Sequence, residues 1–424
     1  MTEKKIPETH LSMVFDSIAY LDINNLLKEA FTANDLYRKI EEKENIYLIC
    51  VGKVSINMAT AITNLIPNKI TNSFIVSLER SDLNNNFISS HPNPSQNSHK
   101  CALNLINFLT SATLTDRDMV IFAISGGTSA MLMAPTSHLS LEELIFVNEK
   151  LLQCGEDVST INKVRKAISE LHGGGILRYL GNAEVYSFIL CDNVQKDLPS
   201  VGSGLTFDYD VEDEDLTKVL NNINISEKLK RKILRSHYDK INKQKNLKRS
   251  NVKNIMLADT KLAVQSLENI IKSRGYEVIV LTDSLQGEAK EVAKVLGSIY
   301  RYHTTVTDRK LSIICAGEVT VTVKGNGKGG RCQELAWCVA KEIESIEGDV
   351  TFISFATDGN DYISNVSGCW VSNKTMRELY RKNISWEDTI QNNNTFHGLK
   401  QLEQLITNIK TNTNLCDLYV FFRE

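Results

Sequence analysis

The run Glu318-Val319-Thr320-Val321-Thr322-Val323-Lys324-Gly325-Asn326-Gly327-Lys328-Gly329-Gly330-Arg331-Cys332-Gln333-Glu334-Leu335-Ala336 sets an alternating strand before a glycine-dense turn that leads straight into a helix. Glycine admits positive φ and lets bare N–H groups approach a ligand, and the new helix adds its partial positive N-terminus. Lys324, Lys328 and Arg331 put full charges on the same rim, Arg331 as a planar fork suited to a carboxylate or phosphate and the lysines as point charges. The chemistry this predicts is capture of a small anion at Gly327, Gly329 and Gly330. An ordinary tight turn uses the same residues. Gly325, Gly327 and Gly330 also match a dinucleotide fingerprint, but the preceding strand alternates valine with threonine where a central parallel strand is uniformly apolar. A phosphate-binding P-loop needs Lys-Ser or Lys-Thr after its last glycine, and Arg331-Cys332 stands there instead.

Three further places offer chemistry. Gly52-Lys53 follows a buried run and precedes a helical one, which puts an ammonium at a strand end. Ser125-Gly126-Gly127-Thr128-Ser129 combines two glycines with three hydroxyls, the makings of an oxyanion or phosphate nest. It lacks the G-x-S-x-G elbow of a nucleophilic serine. Asp192 and Asp358 also lie where strands end, able to hold Mg²⁺ through one or two oxygens or to accept the proton of an attacking hydroxyl. An N-cap or Asx-turn is the plain alternative for each aspartate. Nests, cations and carboxylates together suit phosphoryl transfer to a small acid.

The elements that must position these groups alternate. Apolar β-branched runs at 46–51, 73–78, 119–124 and 185–191 are separated by helical periodicity at 57–65, 101–109 and 161–171. This predicts an α/β chain of two Rossmann-like, doubly wound domains with the active site in the cleft between them, ligands sitting beyond the carboxyl ends of the strands. At 424 residues more than one core is expected. The division read from composition is an amino-terminal α/β domain over 1–206, a charged helical connector over 207–254 and a second α/β domain over 255–424. A net charge of -3 supplies no basic field for nucleic acid. No apolar stretch reaches the roughly 20 residues of a membrane span. Nine scattered cysteines without paired spacing read as buried free thiols in a reducing compartment, and the polar N-terminus points to the cytoplasm.

In their order these motifs resemble the class II glycerate 2-kinases, in which a glycerate kinase domain precedes a MOFRL domain. The resemblance runs through Val51-Gly52-Lys53, His91-Pro92-Asn93-Pro94, Ile124 to Ala130, Ile161 to Ser169, Cys191-Asp192-Asn193-Val194, Ser203-Gly204-Leu205-Thr206, Gly317 to Val321, Gly327 to Ala336 and Thr357-Asp358-Gly359-Asn360-Asp361. It implies transfer of phosphate from ATP, with Mg²⁺, to D-glycerate, giving 2-phosphoglycerate. Lys53 and Arg331 become the essential cations, gripping the transferred phosphate and the glycerate carboxylate. Asp192 and Asp358 serve metal or proton transfer, Ser125 to Ser129 cradle an anionic group, and Arg165 and Lys166 lie near the cleft.

The chain departs from the family pattern at five places. Thr128 stands for a glycine, His172 for a lysine, Tyr362 for a glycine, Asn365 for an aspartate and Asn412 for a glycine. These departures leave open a paralogue with weak, altered or lost kinase activity that only binds its ligand. A hydroxypyruvate reductase, an activity name attached to the same family, needs a nicotinamide site against which the loop above argues.

Overall fold

The computed structural model describes residues 5–244, 251–409, 411 and 413–424. These divide into two compact units, one formed by 23–192 with 197–257, the other by 1–22, 193–196 and 258–424. Both are α/β, and each is built on a six-stranded sheet.

The first unit contains β1 (Asn45–Val51), β2 (Asn72–Ser77), β3 (Asn86–Ile88), β4 (Asp118–Ile124), β5 (Glu184–Leu190) and β6 (Val252–Ala258), in the order β3-β2-β1-β4-β5-β6. The pairings β2–β3, β1–β2, β1–β4 and β4–β5 are all parallel, as the alternation of apolar runs with helices requires. Every residue of β4 is buried, the mark of a central strand covered on both faces. The chain leaves β1 towards β2 on one side, while β4 lies on the other. The ends of β1 and β4 therefore form the switch point at which open parallel sheets bind ligands.

The segment 207–254, expected as a charged connector, carries the helices Asp213–Asn222 and Glu227–Gln244. Leu216, Val219, Leu220, Leu229 and Ile233 pack their apolar faces with Val164 and Ile168 of the helix Val158–Ile168. Val252–Ala258 forms β6 on the edge of this first sheet.

The second unit contains β7 (Glu277–Glu288), β8 (Leu311–Thr320), β9 (Val350–Ala356), β10 (Val366–Ser372), β11 (Leu405–Thr407) and β12 (Asp417–Arg423), in the order β11-β10-β9-β12-β8-β7. This sheet is mixed. β7 and β8 pair in parallel, whereas β12 runs antiparallel to both β8 and β9, and β10 to β9 and β11. β8 runs unbroken from Leu311 to Thr320, so the alternating stretch before the glycine-rich turn is strand only as far as Thr320. The helix Lys5–Tyr20 also belongs here: His10 stacks on Phe422 with ring centroids 4.2 Å apart, and Ser266 Oγ donates to Ser17 O at 3.2 Å.

Eight of the nine cysteines are buried and none is bonded to another. No helix among the described residues is long and apolar enough to cross a membrane.

Tyr300 stacks on Phe421 at 4.3 Å in the fully buried core of the second unit. Replacing Phe421 with alanine should cost about 3–5 kcal/mol. Chemical denaturation followed by tryptophan fluorescence reads that unit alone, because Trp337, Trp370 and Trp386 all lie within it.

Candidate active site

In the first unit the ends of β1 and β4 are locked together by their own backbone and hydroxyls. Gly52 has φ +124°, and a Cβ there would stand 2.3 Å from Ser125 Oγ, so only glycine permits the approach. Lys53 N donates to Gly126 O at 2.9 Å and Val54 N to Ser125 Oγ at 3.1 Å. Thr128 Oγ1 reaches Val51 O at 2.9 Å and Ser125 O at 2.8 Å. The expectation of three hydroxyls facing a ligand is thereby altered, since those of Ser125 and Thr128 are wholly buried and bonded within the turn. Ser129 is half-buried and differs. Its Oγ lies 2.7 Å from Ser203 Oγ, which donates to Asn162 Oδ1 at 2.9 Å. The stem of Lys53 passes Gly127, where a Cβ would meet His91 at 3.1 Å and Lys53 Cγ at 3.4 Å.

Arg165 and Lys166 share the last turn of the helix Val158–Ile168 but differ in charge balance. Lys166 is buried and ion-paired with Asp210 at 2.6 Å. Arg165 Nε donates to Asn148 Oδ1 at 2.8 Å, and burial pushes its guanidinium down to about 10. His172, buried and without a partner on either ring nitrogen, is pushed down to about 3 by burial and then by the charges of Lys240 and Arg165. It is neutral at physiological pH. Lys240 holds the carbonyls of Lys166 and His172, each at 2.6 Å, and burial lowers it to about 7. Asp192 follows β5 by two residues and is half-buried.

In the second unit the glycine-rich loop is filled by its own chain. Lys324 N and Gly325 N donate to Asn393 Oδ1 at 2.8 and 3.0 Å, Gly327 N to Asn392 O at 2.8 Å, and Lys328 N to Asn394 Oδ1 at 3.1 Å. None of Gly325, Gly327, Gly329 and Gly330 has positive φ, contrary to expectation. They are small because a Cβ would strike Asn392, Asn394, Thr395 or Asp361.

The N-terminus of the helix Arg331–Glu342 is likewise filled. Asp361 Oδ1 accepts from Cys332 N and Oδ2 from Gln333 N, each at 3.0 Å. A helix start read as an anion site thus binds the protein's own carboxylate. Burial first, then the neighbouring Asp417, raises Asp361 to about 6 against the pull of these bonds.

Arg331 is held from two sides. Its Nε and Nη2 meet Asp417 at 2.6 and 2.9 Å, and Nη1 lies 3.1 Å from Glu318. Burial alone would lower its pKa, but the charge of Asp417 and its hydrogen bonds raise it further. Register places these groups together: Asp417 pairs with Gly317 and Ala356, so Glu318 and Asp358 lie at the same end of β8, β12 and β9. Asp358 Oδ1 accepts from Asn360 N at 3.0 Å, the Asx-turn arrangement.

Asn148, Asp417 and the Asn392–Asn394 triplet fall in no motif of the sequence, and Ser203 enters only within Ser203-Gly204-Leu205-Thr206. For Asp417 a signal exists: one carboxylate opening an otherwise apolar strand cannot be buried without a cation. The departures are absorbed locally. Thr128 supplies the hydroxyl above, while Tyr362 and Asn365 take φ +64° and +66°, with Tyr362 85% exposed. Asn412 lies outside the described residues.

Residues 10–237 match a family described as a domain of unknown function, DUF4147, and residues 311–417 match the MOFRL family. The D-glycerate 2-kinase of Thermotoga maritima is 31% identical over 391 residues, 89% of this chain and 90% of that protein. The glycerate 2-kinase of Pyrococcus horikoshii is 27% identical over 99% of this chain and 98% of its own. The crystal structure of glycerate kinase from Thermotoga maritima superposes with a TM-score of 0.84 at 28% identity, covering 99% of this chain and 100% of that one.

Tyr362→Gly should stabilise the second unit by about 1 kcal/mol by removing a bulky residue from the left-handed region, a gain read from denaturation midpoints. Asp361 has a folded pKa raised above an unfolded value of about 4. Its contribution is complete below pH 4 and falls as pH rises through about 6, because the buried carboxyl must then ionise. Unfolding of wild type against Asp361→Asn should show their stability difference shrinking across that window, and a difference that grows with pH would contradict the assignment.

Proposed function

The chain belongs to the class II glycerate kinase family, and on that premise we propose that it transfers the γ-phosphoryl group of ATP to D-glycerate, giving 2-phosphoglycerate. The observation that carries this reading is the end-to-end likeness to a glycerate kinase, with both units present and 99% of the chain matched. The local geometry is consistent with it. Lys53 stands at the switch point of a parallel sheet beside Gly127 and is assigned the transferred phosphate. Arg331 keeps two of its five N–H donors beyond those used by Asp417 and Glu318, and is assigned to the nucleotide phosphates.

Two carboxylates surround that one guanidinium, so its neighbourhood suits a metal-complexed phosphate better than a bare anion. Among the described residues no three His, Cys, Asp or Glu side chains stand close enough to hold a metal by themselves. The donor set therefore fits Mg²⁺ that arrives on the nucleotide and adds one carboxylate, for which Asp358 and Asp192 are the candidates. The ion would neutralise charge on the phosphates. The same aspartates are the candidates to accept the proton as the glycerate hydroxyl attacks phosphorus and the bond to the ADP oxygen breaks.

A paralogue without activity is not favoured, since Thr128, Tyr362 and Asn365 are accommodated without loss of the turns they occupy. The reductase reading is disfavoured because the N–H groups that would cradle a pyrophosphate are bonded to asparagines.

A coupled assay should show ADP release that depends on D-glycerate and Mg²⁺, with phosphorus NMR identifying 2-phosphoglycerate. Lys53→Met should lower kcat by at least about 100-fold with an unchanged circular dichroism spectrum. Full activity in that variant would remove Lys53 from the reaction.

A further inference from the structure

Among the described residues no carboxylate pairs with the guanidinium of Arg165, in the first unit. Its side-chain contact is with Asn148 Oδ1 at 2.8 Å, and burial accounts for its lowered pKa. The groups around it do not supply the missing charge: Lys166 is matched by Asp210, His172 is neutral, and Lys240 is a further cation. Side-chain donors are also left over. Asn148 is fully buried and its Nδ2 has no partner, although its Oδ1 already receives Arg165 Nε. Arg165 itself is half-buried.

A cation in such surroundings is costly unless an anion completes it, and the planar fork matches two coplanar oxygens. Asn162, one helical turn before Arg165, accepts from Ser203, which in turn meets Ser129 beside the switch point. Arg165 thus shares a helix with a residue whose hydrogen bonds lead through Ser203 to Ser129, in the turn whose Gly126 O accepts from Lys53 N. Arg331 cannot offer the same fork, because Asp417 occupies its Nε–Nη2 edge.

We propose that Arg165, with Asn148 Nδ2 as a second donor, binds the carboxylate of the acceptor acid, so that Arg165 and not Arg331 sets the preference for a small hydroxy acid over an uncharged polyol. The identity of that acid rests on the kinase reading above; the carboxylate subsite does not.

Binding is measured by calorimetry, without turnover, on the full chain with D-glycerate, lactate, glyceramide, glycerol, inorganic phosphate and MgATP. Wild type should bind D-glycerate at least 30-fold more tightly than glyceramide or glycerol. Arg165→Met should weaken D-glycerate about 100-fold while MgATP changes less than about twofold, and Arg165→Lys should restore only part of the loss. Asn148→Leu should give a smaller loss confined to the acids. Should Arg165→Met fail to fold, Arg165→Lys and Asn148→Leu carry the test, each expected to weaken D-glycerate while leaving MgATP within about twofold. Equal affinity for D-glycerate and glyceramide, no binding of any acid, or a loss in Arg165→Met that falls on phosphate or MgATP would each overturn the proposal. Tight, Arg165-dependent binding of an acid that is never phosphorylated would support it while removing the kinase reading.

Discussion

Charge brought inside a fold must be balanced there, and the two units meet that constraint in opposite ways. In the second, Arg331 is enclosed by Asp417 and Glu318, one buried and one half-exposed, and the strand ends of β8, β9 and β12 are arranged around this cluster. The pair Arg331–Asp417 joins the helix Arg331–Glu342 to the sheet with two parallel hydrogen bonds, a geometry that fixes orientation as well as distance. In the first, Arg165 is left with an amide oxygen. A fold that neutralises one guanidinium twice and another not at all distinguishes a group held in place from a group held in readiness.

The same logic explains the glycine-rich loop. A helix N-terminus and a run of bare N–H groups need acceptors wherever they are removed from water. Asp361 meets the first need and the asparagines at 392–394 the second. Asn393 does so twice over, since its Oδ1 takes two loop N–H groups while its Nδ2 donates to the buried Glu334. The loop is thus a rigid corner of the second unit, and what remains outward on it is the charge of Lys324 and Lys328, both exposed.

The strands of the first unit and the candidate positions at their ends are legible from the chain because apolar runs followed by Gly-Lys or Gly-Gly report local backbone preference. Gly52 is the clear case: its φ and its contact with Ser125 are what a glycine at that turn predicts. The satisfaction of the 324–330 loop was not legible, because its partners lie more than sixty residues away and asparagine is compatible with many turns. Nor was the antiparallel course of β12. A strand read alone carries no sign of direction, and the helical crossovers that would reveal it are absent between β9 and β10. The helices Asp213–Asn222 and Glu227–Gln244 lie in the segment whose charge reads as a connector, although a leucine and isoleucine stripe of helical period is present and is what packs.

The helix Lys5–Tyr20 docks on an element of the second unit, beside the strand that closes its sheet, while residues 23–192 lie between them in the chain. On the ribosome this helix emerges before the elements it packs against. At ordinary elongation rates of about 5–20 residues per second it waits on the order of ten to fifty seconds, its apolar face exposed, while the intervening unit is made and folds. Biosynthesis thus separates this helix in time from its partners, and a segment made before the first unit finds its place only after that unit is complete.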